Sequence, residues 1–300
     1  MKEKNEGVFD LPASLQALDV GEKYGQGALL LTRFTSFDEF KKVVVIHYAD
    51  DLARAANTAV GLPEVELTYT SGGKEVTSIL KAGISQTDFL KAKSGNLIDK
   101  MILAIKCPFA VLNKGGLTTI ENLGRRRPWI YGKGDNAFYD LADMMVHHIR
   151  EEDQIDMSCE DLDEKGYLNT FNHITAQAFM TSLYSEKMAD FVADVHELYN
   201  MPELITGKFT EAQLSDFVNG PADNYVDMLN NEWGQELGKA LREKYAISKS
   251  TYWTPQLLTN YLNDIQGYYS WSFQIGFTPF RPTDEMVEQF AWKMGMLLCR

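Results

Sequence analysis

The chain has 300 residues, of which 45% are hydrophobic and 24% charged, a composition that excludes a disordered protein. No apolar run approaches the roughly 20 residues of a transmembrane helix, so we predict no membrane span. The net charge of −13 is uneven: residues 1–130 sum to +2 (17 basic, 15 acidic) and residues 131–300 to −15 (12 basic, 27 acidic). Because the acidic half repels phosphates and anionic membranes, we expect no nucleic-acid partner and, if any, a basic protein partner.

The amino terminus and the cysteines bear on the compartment. Met1 is followed by polar residues without the apolar region of a signal peptide. Cys107, Cys159 and Cys299 are far apart and odd in number, which predicts free thiols in a reducing compartment. We therefore expect a soluble protein that is cytoplasmic by default, with export by a dedicated secretion route as the alternative.

The first predicted elements are a strand and a helix. Residues 1–25 look irregular, and Gly27–Phe34 is predicted to be a strand. A capping box at Ser36–Glu39 should begin a helix that extends to about Val60, with apolar residues at helical spacing. His47 lies beside that apolar face, which predicts a core histidine.

A hairpin and a second helix follow. Glu64–Thr70 and Glu75–Leu80 flank a Gly-Gly pair, the pattern of a β-hairpin. A helix is predicted over Gln86–Ile105, ended by Pro108, and Gly115-Gly116 indicates a turn. The N-terminal region is therefore predicted to be α+β.

The segment from Arg127 to Gly134 is the predicted domain boundary, which gives an α+β region over residues 1–130 and an acidic helical domain over residues 131–300. The fold class that follows is mainly α: the N-terminal region with its hairpin, then a multi-helix domain. The predicted helices of that domain cover residues 135–150, 167–184, 186–200, 222–245, 255–272 and 283–298.

Polar residues share one side of the helix predicted over residues 222–245. Asp227, Asn230, Asn231, Gly234 and Gly238 recur at helical spacing, apart from the apolar face. Two glycines inside a helix cost about 1 kcal/mol each against alanine, so they indicate close approach by another helix or a ligand.

Histidines on the two preceding helices complete a candidate site. His173, His196, Glu197, Asp227 and Asn231 could converge inside one bundle. Imidazole and carboxylate ligands suit zinc, iron or manganese, with His173, His196, Asp227 and Asn231 as the candidate ligands. Two alternatives stay open: metal-free acid–base catalysis by His196, Glu197 and Asp227, and a structural hydrogen-bond network.

Two other groups are expected to be structural. Asp140, Asp143 and His147 share a face opposite apolar residues and are predicted to be solvated, with a metal ligand role as the alternative. An aromatic run is predicted to be core, with a groove for a flat ligand as the alternative; it comprises Tyr261, Tyr268, Tyr269, Trp271, Phe273 and Phe277. Phosphate-loop, dinucleotide-binding, nucleophile-elbow and His-Glu-x-x-His motifs do not occur.

The order His173, then His196-Glu197, then Asp227-Met-Leu-Asn230-Asn231-Glu-Trp-Gly234 resembles a bacterial helical domain of unknown function found in secreted or toxin-like proteins. The resemblance covers about residues 169–238. The family pattern has alanine before the second histidine, where this chain has valine, and alanine after the first, where it has isoleucine.

The resemblance and the polar residues together predict a bacterial hydrolase, in the form of a secreted effector acting on a cell-envelope substrate such as lipid or peptidoglycan. His196 would be its base or a metal ligand, with Glu197 and Asp227 as ligands or orienting groups. The alternative is a non-enzymatic interaction protein whose buried polar residues are structural.

Overall fold

Helices dominate the computed structural model, and the one sheet of its described part lies in the N-terminal region. The predicted fold class, mainly α with an α+β N-terminal region followed by many helices, is therefore confirmed. Among the described helices, none has an apolar stretch of the length that a bilayer crossing requires. The structure describes residues 27–48, 64–71, 74–81, 83, 86–216 and 218–298.

The sheet contains three antiparallel strands in the order β1 (Val44–His47), β2 (Glu64–Ser71) and β3 (Lys74–Lys81). Strands β2 and β3 pair from Glu64 with Lys81 to Ser71 with Lys74, so the predicted hairpin is confirmed. Buried and more exposed residues alternate along the whole of β2, because one face of the sheet packs against the core and the other faces solvent.

The strand predicted over Gly27–Phe34 is wrong. This segment is irregular up to Leu30 and then forms a 3₁₀ helix at Leu31–Arg33. The Leu29 N–H donates to Asn230 Oδ1 at 2.8 Å, and Asn230 Nδ2 donates to the Leu29 carbonyl at 2.9 Å. One buried side-chain amide thus satisfies the backbone groups that a neighbouring strand would otherwise pair.

The helix predicted from Ser36 to Val60 is also wrong in the described part. Ser36 Oγ does accept the Glu39 N–H, but the helix α1 ends at Phe40 (Phe37–Phe40) and β1 follows. The β-branched run at residues 43–46 favours a strand over helical continuation. His47 consequently lies exposed on β1 and is not a core residue, whereas residues 49–63 lie outside the described part.

Five helices follow the sheet: α2 (Gln86–Ser94), α3 (Leu97–Lys106), α4 (Pro108–Leu112), α5 (Lys114–Leu123) and α6 (Pro128–Tyr131).

Two expectations in this part of the chain need correction. The helix predicted over Gln86–Ile105 is interrupted, because Asn96 caps a new helix by accepting the N–H groups of Ile98 and Asp99. Gly115 and Gly116 lie inside α5 and do not form a turn.

The C-terminal helices are α7 (Phe138–His147), α8 (Glu151–Gln154), α9 (Tyr167–Leu183), α10 (Glu186–Asn200), α11 (Glu211–Ser215), α12 (Pro221–Lys244), α13 (Pro255–Phe273) and α14 (Glu285–Leu298). All six predicted helices are present with ends that differ by at most a few residues. The helices α9 and α12 pack most extensively on each other, at the centre of the molecule.

The glycines of α12 explain that close packing. A Cβ atom on Gly234 would lie 2.8 Å from the Ile174 carbonyl oxygen, and one on Gly238 would lie 2.6 Å from the Ala178 carbonyl oxygen. The expected close approach is therefore confirmed, and the element that approaches is α9.

The described residues form two large hydrophobic cores. The first surrounds α9, α13 and α14 and buries the aromatic residues Tyr261, Tyr268 and Tyr269, as predicted. The second lies between the sheet, the 3₁₀ helix and the first half of α12. Leu30 belongs to the first core and Leu29 to the second, so the N-terminal segment contributes to both. A domain boundary near residue 130 stays a prediction.

Candidate metal centre

Three side chains from three helices meet between α9, α10 and α12. They are His173 on α9, Glu197 on α10 and Asp227 on α12, and one ligand atom from each lies within 4.8 Å of the others. The sequence analysis named each of them as a candidate, from its position on a predicted helix. The convergence depends on the close packing of α9 on α12, which places His173 against the polar face of α12.

The ring of His173 is held at both nitrogens. Its Nδ1 lies 3.0 Å from Asn231 Oδ1, and its Nε2 lies 3.2 Å from Asp227 Oδ2. Since the amide oxygen accepts the Nδ1 proton, a neutral ring presents its Nε2 lone pair towards Asp227. Two acceptors that face each other at this distance need a proton or a cation between them.

The carboxylate of Asp227 is oriented by a second amide. Asn169 Nδ2 donates to Asp227 Oδ1 at 2.9 Å and lies 3.4 Å from Asp223 Oδ1. One oxygen of Asp227 is thus fixed by Asn169 while the other faces His173. Burial raises the pKa of Asp227 well above its usual value, and the Asn169 hydrogen bond opposes that shift.

Glu197 differs from its neighbours because, within the described part of the chain, no polar group contacts its carboxylate. The residue is 1% exposed, and neither carboxylate oxygen has a hydrogen-bond partner among the described residues. Burial raises the pKa of Glu197 well above its usual value, and the charges of Asp227, Asp223 and Asp194 add to the shift. A buried carboxylate in this position costs several kcal/mol unless it is protonated or meets a cation.

Other acidic side chains surround the three residues. Burial, reinforced by neighbouring carboxylates, raises the pKa of Asp223 to about 9 and that of Asp194 to about 8. Near neutral pH these groups are mostly protonated in the metal-free protein, and a bound cation would favour their ionised form.

The donor set fits a transition-metal ion. One imidazole nitrogen and two carboxylates match the ligands that zinc, iron and manganese accept. Three protein ligands leave coordination positions for water or substrate, as in catalytic sites. Asn231 would act on His173 in the way that a hydrogen-bonded oxygen behind a ligating histidine fixes its tautomer.

His196 lies beside this group but is not one of its three members. Its ring centre is 6.4 Å from that of His173, the side chain is exposed, and Nε2 lies 3.2 Å from Asn200 Nδ2. Asn231, also expected as a ligand, places its Oδ1 on His173 Nδ1 instead. The geometry therefore separates a buried group of potential ligands from an exposed histidine at its edge.

Two contributors were missing from the sequence interpretation. Asn169 precedes His173 by four residues on α9, and Asp223 precedes Asp227 by four residues on α12. Residues at this spacing share a helix face. The spacing in the sequence could have identified both residues, if each polar face had been extended by one turn towards the helix amino terminus.

Other predicted polar residues lie away from the site. Asn230 bonds to the backbone of Leu29. Asp140 is buried and not solvated as predicted, because it forms an ion pair with Arg126 and accepts the Ala137 N–H at the start of α7. The exposed His147 contacts the Asp143 carbonyl on its own helix.

The chain matches no protein family model, no curated protein and no solved structure. The functional interpretation therefore depends on the geometry of the site.

Proposed function

We propose that this protein is a metal-dependent hydrolase, with His173, Glu197 and Asp227 as the ligands of one divalent cation. The observation that carries the proposal is the buried carboxylate of Glu197, which has no hydrogen-bond partner among the described residues. It lies within 4.8 Å of a histidine nitrogen and an aspartate oxygen. A purely structural polar network would give Glu197 hydrogen bonds, since buried polar groups in such networks are satisfied.

The exposure of the side chains indicates the direction from which a substrate would reach the site. The His173 side chain is 14% exposed and that of Asp227 is 8% exposed, whereas His196 is exposed. A substrate would therefore approach past His196. Its place at the edge suits a group that takes a proton from an attacking water and returns it to the leaving group.

The roles of the residues follow from their positions. A zinc, iron or manganese ion would lower the pKa of a bound water and polarise the bond to be cleaved. Asn231 holds the Nε2 of His173 towards the site, and Asn169 fixes the free oxygen of Asp227 by holding the other. His196 would take the proton from the attacking water and return it to the leaving group. The ionised carboxylates around the cation would hold it in place.

The resemblance over residues 169–238 to a domain of secreted or toxin-like bacterial proteins supports an effector acting on a cell-envelope substrate, either lipid or peptidoglycan. Purified protein loaded with zinc, manganese or ferrous iron is tested against phospholipid vesicles and purified peptidoglycan. We expect release of a hydrolysis product from one of them. Failure with every ion on both substrates would contradict the envelope assignment.

The catalytic role of His196 is tested on the same substrate. We expect His196→Ala to retain the ion and to lower turnover by about 10²- to 10⁴-fold, the range for loss of a general acid–base residue. Tyr199→Ala, an exposed substitution at the end of the same helix, is the matched control. Turnover equal to that of the control would remove the role of His196.

The alternative is an interaction protein whose polar interior only fixes helix packing. Asn230, Ser182 and Thr175 show that this interior contains such structural contacts. That alternative requires the metal-free protein to be the functional form, and it predicts that zinc, iron and manganese have no effect on stability.

A further inference from the structure

The structure has an apolar surface on α3, whose residues do not belong to the candidate metal centre. Ile98, Met101, Ile102 and Ile105 are between 45% and 78% exposed among the described residues. Their spacing of 3, 4 and 7 places them on one face of the helix. Together with Leu112 on α4, which is 83% exposed, they form what we call the α3 face.

The other side of this layer is anchored on the helical domain. Cys107 and Ala110 are buried against Leu103 and Leu117, and the ring of Phe109 lies 5.0 Å from that of Phe191 on α10. The inward positions of the segment are therefore occupied by the protein itself. The α3 face points outward. Single exposed apolar residues are common on protein surfaces, but a row of them along one face of a helix indicates a binding surface.

The charge around the α3 face is opposite to that of the whole protein. Residues 86–114, which form α2, α3, α4 and the start of α5, contain five Lys and two Asp, a net charge of +3, whereas the chain carries −13. The lysines Lys91, Lys100, Lys106 and Lys114 are exposed. The two acids of α2 and α3 have local partners: Asp88 pairs with Lys106, and Asp99 caps α3.

We propose that the α3 face docks the protein on an anionic phospholipid bilayer surface. An exposed apolar helix face bordered by lysines is the pattern of helices that lie in the membrane interface. Basic residues near an anionic leaflet add attraction, and the acidic remainder of the protein is repelled and orients away from the membrane.

A second copy of this chain fits the surface less well. A symmetric dimer would place one α3 face on another and bring two regions of charge +3 together. An anionic bilayer has the complementary charge. It also presents a plane, onto which a helix face can lie without a matching groove.

Co-sedimentation with vesicles tests this proposal. Vesicles of phosphatidylcholine alone and with about one third phosphatidylglycerol are compared at low and high salt, since screening weakens the attraction. We expect binding to the anionic vesicles that falls with salt. Ile105→Glu should lower the bound fraction about tenfold by removing apolar contact and adding a negative charge. Lys100→Gln should weaken binding about fivefold.

The matched control is Ile155→Glu, since Ile155 is 79% exposed and Ile105 is 78% exposed. This variant should bind as the unchanged protein does. No sedimentation with anionic vesicles, or equal binding by the two variants, would overturn the proposal. So would a dimer that Ile105→Glu disrupts, which would assign the face to a second copy. A larger loss of thermal stability in Ile105→Glu than in Ile155→Glu would likewise overturn it, because another part of the chain would then cover the face.

Discussion

The Nε2 atom of His173 lies 3.2 Å from the Oδ2 atom of Asp227, and the opposite ring nitrogen is occupied by Asn231. The polar residues of α12 contact two different parts of the protein. Asp227 and Asn231 face the candidate metal centre, whereas Asn230 faces the backbone of Leu29. Substitutions along this one helix can therefore separate metal binding from folding.

Asn231→Leu tests the orientation of His173. Without the Asn231 oxygen the imidazole can rotate and change tautomer, so we expect the affinity for zinc or manganese to fall about 10- to 100-fold. Isothermal titration calorimetry on the metal-free protein measures the change. Gln235→Leu, which removes another buried amide of α12, is the matched control and should retain the affinity. Equal affinities for the two variants would show that Asn231 does not position a ligand.

Asn230→Ala should lower the stability of the protein and not its metal affinity. It removes both hydrogen bonds to Leu29 and leaves the buried Leu29 N–H unsatisfied. We expect the free energy of unfolding to fall by about 2–3 kcal/mol, with unchanged metal affinity in the folded protein. Urea denaturation measures the first and calorimetry the second. A stability equal to that of the unchanged protein would contradict the role of Asn230 as a backbone partner.

Alanine substitutions at two helical glycines should change the stability of the protein in opposite directions. Gly234→Ala places a Cβ atom 2.7 Å from the Cβ of Gln177 and should cost about 2 kcal/mol. Apart from the nearby backbone of α14, no atom of the described residues lies within 4 Å of a Cβ atom built on Gly295, so Gly295→Ala should gain about 0.5–1 kcal/mol from helix propensity. Thermal unfolding of both variants checks the sign, and stabilisation by Gly234→Ala would mean that α9 and α12 are not in close contact.

The stability of the metal-free protein should fall as pH rises. Burial, with the charges of Asp190 and Glu232, raises the pKa of Asp194 to about 8 from 3.8. The folded state therefore binds this proton more tightly than the unfolded state, and its contribution to stability is lost as pH rises through about 8. Between pH 5 and 8.5 we expect a loss on the order of 2 kcal/mol, less than the full shift because Asp194 is half-buried.

Asp194→Asn should flatten that dependence and make the protein more stable at pH 8.5. Urea denaturation in the presence of a chelator measures the unfolding free energy at each pH. Asp156→Asn, at an exposed position, controls for the loss of one negative charge. A pH dependence in Asp194→Asn as steep as in the unchanged protein would contradict the assignment.

The six helices predicted over residues 135–298 were predictable because their apolar residues repeat at helical spacing, and Ser185 and Thr254 cap two of them. Thr254, for example, precedes a proline and accepts the Leu257 N–H. The hairpin was predictable from its glycine pair. These signals are local in sequence and need no information about tertiary contacts.

The N-terminal region was less predictable because its conformation depends on distant partners. Leu29 bonds to Asn230 on α12, a contact that no local pattern indicates. The residues of the candidate metal centre were predictable one by one. Which of them are potential ligands, which is the orienting amide and which is the exposed histidine depends on how α9, α10 and α12 pack.

The metal content of the protein tests the central claim most directly. Elemental analysis is made on the purified protein and on Glu197→Gln after incubation with zinc, iron or manganese and removal of free ions. Glu232→Gln, at a half-buried glutamate of α12 outside the three-residue group, is the control. We predict one ion per chain in the unchanged protein and in Glu232→Gln, and none in Glu197→Gln. An unchanged protein without a bound ion, or equal ion content in Glu197→Gln, would contradict the claim.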